Sequence, residues 1–133
     1  MNCIIKSIVC ISLVVIIGIL LHIDNTISFS KADIIMARNQ DVVEKLIMCE
    51  SSDRDVTSPH DGGSPSYSYL QFKKATWDSY VEKYGLFQGA DEADMTNLIH
   101  DRWASRLVAS LILEEKDGIY NWKNCGIKLK LIK

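Results

Sequence analysis

The chain has 133 residues, a formal net charge of −2 and 47% apolar residues. That length holds one domain behind a leader. The near-neutral charge excludes a strongly basic nucleic-acid binder, and the recurring apolar residues exclude an acidic disordered chain.

Met1–Lys6 carries a single basic residue, and residues 7–23 form a run without formal charge. A basic end followed by an apolar run directs the remainder across a membrane. The run is long for a cleaved signal and short for a full span, so both a cleaved leader and a retained anchor stay open. Residues 1–32 are therefore expected to be signal peptide or signal anchor plus tether, with Ser30-Lys31-Ala32 as a distant small-x-small cleavage candidate. Residues 33–133 are the expected domain. Cys3 and Cys10 belong to the leader, which leaves Cys49 and Cys125 to the exported part. Two cysteines in an oxidising compartment have one pairing, a disulfide; two separate buried thiols are the alternative. Without nearby histidines they make no metal site.

Apolar residues recur at helical spacing from Asp33 onward. Val42, Val43, Leu46, Ile47 and Cys49 make one face of a helix, with Asn39 or Asp41 near its start. Glu50 closes this helix on the same face as Val43, Leu46 and Ile47. A carboxylate on an apolar stripe, at the unfavourable end of the helix dipole, has its pKa raised once buried. Residues 51–66 read as a loop with the turn signal Asp61-Gly62-Gly63. Residues 66–72 alternate weakly and read as an extended segment. Residues 73–84 read as a helix with Ala75, Tyr80 and Tyr84 inward, stopped at Gly85. A long helix is expected over residues 95–116, with Leu98, Ile99, Trp103, Leu107, Leu111 and Ile112 inside. Trp77 and Trp103 are expected in the core. His60 and His100 are isolated and expected at the surface or in caps. The tail 127–133 alternates apolar residues with lysines, as an edge strand does.

Periodicity alone yields an exported, mostly helical domain with one conspicuous carboxylate and no reaction. Two segments add more: Cys49-Glu50-Ser51-Ser52, and Asp61-Gly62-Gly63-Ser64-Pro65-Ser66-Tyr67-Ser68-Tyr69-Leu70-Gln71-Phe72. Together they resemble the lysozyme-like superfamily, closest to its lytic transglycosylase and resuscitation-promoting-factor-like branch. There a helix ends in Glu-Ser and a Gly-Leu-x-Gln segment follows. Gly118…Trp122…Cys125 resembles the Gly-x-x-x-Trp-x-x-Cys close of small secreted members. The resemblance spans residues 42–125. It departs at Ser68, where the family has Gly, and at Tyr69, where it has Leu.

The resemblance implies an α+β, mostly helical, lysozyme-like domain behind an N-terminal hydrophobic helix. It implies a peptidoglycan lytic transglycosylase that cleaves the β-1,4 bond between N-acetylmuramic acid and N-acetylglucosamine. Glu50 would be the single catalytic acid/base, and the products anhydro-muropeptides. Gln71 would border the cleft, and Ser68 would stand at the family's sugar contact. From the residues themselves, Tyr67 and Tyr69 are candidates either for stacking on sugar rings or for core packing, and Tyr120 and Trp122 are candidates to line the site. If Cys125 bonds Cys49, Tyr120 and Trp122 lie near Glu50.

Two alternatives stay open. A muramidase-type hydrolase needs a second carboxylate about 5–9 Å from the first, for which Asp53, Asp55 and Asp61 are candidates. A non-catalytic peptidoglycan-binding envelope protein would keep the fold alone. The expected partner is the glycan strand, joined by the membrane if the leader stays. No cofactor, metal or nucleic acid is expected. The protein is expected to be an exported monomer, secreted or anchored facing the cell wall.

Overall fold

The computed structural model describes residues 31–59 and 62–132. The leader with Cys3 and Cys10, together with His60 and Asp61, lies outside the described residues. Contacts divide the chain after Ile34, and residues 35–133 make up the folded unit. It is mostly helical with a small sheet, as the composition and periodicity predict. Among the described residues, no helix is long and apolar enough to cross a membrane.

Helix α1 covers residues 31–51. It begins well before Asn39 or Asp41, because Asn39 does not cap it. The Asn39 amide instead donates to the Ile35 carbonyl and to Glu114. Val43, Leu46 and Ile47 are buried along its inner face. Ser51 ends it: its hydroxyl donates to the Ile47 carbonyl and accepts from the Arg54 amide. Ser52 and Asp53 then take left-handed φ values of 55° and 61°. This terminates the helix without a glycine, at Asp53 on one of the residue types that tolerates that region.

Three two-residue strands follow: β1 (Thr57–Ser58), β2 (Ser66–Tyr67) and β3 (Phe72–Lys73). They pair antiparallel in the order β1-β2-β3, with Thr57 opposite Tyr67 and Tyr67 opposite Phe72. The segment 66–72 is thus two strand fragments joined by a turn rather than one extended piece. Its turn places Ser68 and Gln71 at φ 67° and 52°, which no straight strand allows.

Helix α2 (Lys74–Lys83) starts on β3 and buries Trp77 and Val81, while Ala75 is exposed. The expected long helix is two helices, α3 (Glu92–His100) and α4 (Arg102–Leu113). Asp101 sits between them in extended conformation, and its carboxylate accepts the Ala104 amide at 2.7 Å. An N-cap of this kind starts a new helix where the apolar spacing runs on. The break resets the helical phase. Ala104, Leu107, Val108 and Ile112 form the inner face, and Trp103 is left 46% exposed rather than in the core.

A 3-10 turn (Gly118–Trp122) and α5 (Lys123–Lys128) close the chain. A Cβ on Gly118 would stand 1.7 Å from the Ile112 carbonyl oxygen. Only glycine lets the chain double back so tightly against the end of α4. The tail is not an edge strand. Leu131 and Ile132 donate their amides to the Gly126 carbonyl, folding it back on α5. Lys128 and Lys130 are exposed positions of a helix and turn.

In the core Phe72 links β3 to α2 and to the 3-10 turn, meeting Trp77 and Trp122 edge-on at 5.3 and 5.7 Å. Trp122 Nε1 also donates to the Leu70 carbonyl at 2.8 Å, a buried bond between the C-terminal turn and the β2–β3 turn.

Candidate functional site

Cys49 and Cys125 form a disulfide across a sequence separation of 76. Cys49 precedes Glu50, and Cys125 follows the 3-10 turn, so the bond brings the end of α1 to the C-terminal segment. Between them lies a cleft of about 330 Å³ lined by Glu50, by Gln71–Lys73 and Thr76, and by Tyr120–Cys125. Trp122 and Phe72 give it an apolar floor, both being core residues. Asn121, Asn124 and Lys123 make its polar C-terminal wall, where Tyr120 stands 52% exposed.

Four of the residues singled out from sequence meet here: Glu50, Gln71, Tyr120 and Trp122. Glu50 is half-buried at the end of the apolar stripe that packs α1. Among the described residues it is the sole carboxylate in the lining. Gln71 turns its amide into the hairpin. Nε2 donates to the carbonyls of Val56 and Ser68, and Oε1 accepts from the Ser58 hydroxyl at 2.6 Å. Both amide hydrogens are engaged, so Gln71 fixes the β-turn at the rim of the cleft and carries Phe72 and Lys73 into it.

Ser68, Tyr67 and Tyr69 do not line this cleft. Ser68 is fully enclosed, and its hydroxyl has no hydrogen-bond partner. Its φ of 67° lies in the left-handed region, which glycine adopts without strain. Tyr67 meets His100 edge-on. Tyr69 lies under the Arg102 guanidinium at 5.4 Å, a cation–π contact.

Two of the three candidate second carboxylates, Asp53 and Asp55, are engaged elsewhere. Asp53 pairs with Arg102, which also reaches Glu44. Asp55 pairs with His100 Nδ1 at 2.7 Å. His100 is therefore partnered, contrary to its isolated position in sequence; the pairing is tertiary, across 45 residues. These contacts hold the loop after Glu50 against α3 and α4, and neither aspartate lines the cleft. Asp61 lies outside the described residues. Among the described residues, no cluster of His, Cys, Asp or Glu is placed to hold a metal ion.

Sequence reasoning missed Lys73, Thr76, Asn121, Lys123 and Asn124 as lining residues. Their signal was adjacency: each lies within five residues of Gln71 or Trp122.

A second polar cluster ties the helices together on other residues. Glu115 accepts from Lys83 Nζ and from the Tyr84 hydroxyl. The Lys83 hydrogen bond, reinforced by Tyr84, holds the Glu115 carboxyl below the usual range. Desolvation, then the bond to Glu115, pushes the Tyr84 phenol up to about 12.

No family model, curated protein or solved structure matches the chain.

Proposed function

We propose that the chain is an exported, lysozyme-like domain that cleaves the β-1,4 bond between N-acetylmuramic acid and N-acetylglucosamine, with Glu50 as its single acid/base. The observation that carries this reading is that Glu50 is, among the described residues, the sole carboxylate in a polar cleft bordered by the buried aromatics Phe72 and Trp122 and by the amides of Asn121 and Asn124. Small sites that bind sugars and amides use this mixture of apolar surface and a few placed polar groups.

Cleavage begins as Glu50 protonates the glycosidic oxygen while the bond to C1 of the muramic sugar breaks. The substrate's own N-acetyl group stabilises the cationic centre. The C6 hydroxyl of the same sugar then bonds to C1, and its proton passes to the Glu50 carboxylate. Glu50 is restored to the acid form, and the product is a 1,6-anhydro end. No second carboxylate is required, which suits a site whose nearby aspartates are paired with Arg102 and His100. The disulfide supports an oxidising, extracytoplasmic location. In this reading the enzyme works on the wall face of the membrane, released or anchored by the leader.

Digestion of purified peptidoglycan followed by separation of the products tests the reaction type. Anhydro-ended muropeptides are expected. Reducing ends without anhydro termini would replace the transglycosylase with a muramidase-type hydrolase. Binding without any cleavage would leave a wall-binding protein.

A further inference from the structure

The cleft's charge runs against that of the whole chain. The protein carries a net charge of −2, yet among the described residues the cleft lining includes two lysines, Lys73 and Lys123, and one carboxylate residue, Glu50. By formal charge the described lining is thus net positive within an acidic protein. The Lys73 ammonium is tied into the rim by a 2.6 Å bond to the Ser64 carbonyl. Lys123 stands exposed in the C-terminal wall, between Asn121–Trp122 and Asn124. That wall is pinned by the Cys49–Cys125 disulfide and by the Trp122–Leu70 bond, so Lys123 is carried on a fixed backbone.

A glycan of neutral sugars gives an ammonium in a cleft no counter-charge. Covering it with substrate costs desolvation, and a substrate carboxylate offsets that cost more fully than a neutral hydroxyl or carbonyl does. We propose that Lys123 is a specificity-determining residue that binds a carboxylate carried by the substrate strand. This rests on the glycan-cleaving reading and deepens it by naming the group on the strand that the C-terminal wall of the cleft recognises. In peptidoglycan the carboxylate has two sources, the stem peptide or the lactyl arm of muramic acid exposed when the stem is removed. The flanking amides of Asn121 and Asn124 suit the amide-rich surroundings of either.

Co-sedimentation of the full domain with three insoluble walls tests this: intact wall, wall with its stem carboxylates amidated, and wall stripped of stems so that the lactyl carboxylate is free. A charge-assisted contact corresponds to about tenfold or more in affinity. Lys123→Gln should lose the wild type's preference among these walls, and Lys123→Arg should retain it. Intact wall bound about tenfold more tightly than both amidated and stripped wall assigns the contact to the stem; stripped wall bound about tenfold more tightly than amidated wall, with intact wall no better than amidated, assigns it to the lactyl group. Either result supports carboxylate recognition. Equal binding of all three walls by the wild type, or an unaltered preference in Lys123→Gln, overturns it. Absence of any wall binding overturns it together with the proposed function. Loss of cleavage with the binding preference intact overturns the function alone.

Discussion

Removing the Cys49–Cys125 disulfide is the largest single perturbation the fold offers. Its two sulfurs close a loop with a sequence separation of 76, for which the chain-entropy model gives about 4.5 kcal/mol at room temperature. Domains of this size have only about 5–15 kcal/mol in all, so the bond supplies a large share. The variant to use is Cys49→Ala with Cys125→Ala. Serine at the buried Cys125 position would add an unsatisfied hydroxyl and inflate the effect. Urea unfolding of the oxidised wild type and the double variant should give midpoints about 2–4 M apart. The melting temperature should fall by about 20–35 °C. The same bond joins both walls of the cleft, so wall cleavage by the variant should fall even at temperatures where it is folded. A loss of less than about 1 kcal/mol would refute the reasoning, because the unfolded chain would then gain little freedom on release.

Three further outcomes follow from individual residues. Ser68→Gly should stabilise the domain by about 1 kcal/mol, seen as a rise in melting temperature. It relieves the left-handed φ of 67° and removes an unpartnered buried hydroxyl, against a smaller backbone-entropy cost; a fall in melting temperature would contradict this. Glu115 has a lowered folded pKa, so its contribution is present above the ordinary carboxylate range and is lost as pH falls through the folded value. Tyr84 has a raised folded pKa, so its contribution is present below the ordinary phenol value and is lost as pH climbs toward about 12. Urea midpoints measured against pH should therefore decline at both ends, and Glu115→Gln should flatten the acidic limb; an unchanged acidic limb would contradict the assignment. Gly118→Ala should destabilise by about 3 kcal/mol or more, because its Cβ would meet the Ile112 carbonyl; wild-type stability in chemical unfolding would contradict the close packing.

What was legible in the sequence followed local periodicity and spacing. The stripe of Val43, Leu46 and Ile47 gave α1 and set Glu50 at its end. Two remaining cysteines gave the disulfide, and through it the approach of Trp122 and Tyr120 to Glu50. What escaped was tertiary or depended on dihedral angles. The break at Asp101 was hidden because the apolar spacing runs through it, although an aspartate three residues before Ala104 is a cap signal. Asp55 and His100 pair across 45 residues, a relation no local pattern encodes. The tail's alternation of apolar residues and lysines mimicked a strand because i, i+2 spacing also arises in a short helix followed by a turn. Tyr67 and Tyr69 were sugar candidates by type. Their turn directs them to His100 and Arg102 instead.

The central claim is that one carboxylate does the chemistry, and Glu50→Gln measures it most directly. This change keeps the size of the side chain and removes its ability to donate and recover a proton. With an unfolding midpoint close to that of the wild type, the variant is expected to lose at least about a hundredfold in the rate of anhydro-muropeptide release from purified wall. Release at the wild-type rate by a folded Glu50→Gln protein would contradict it.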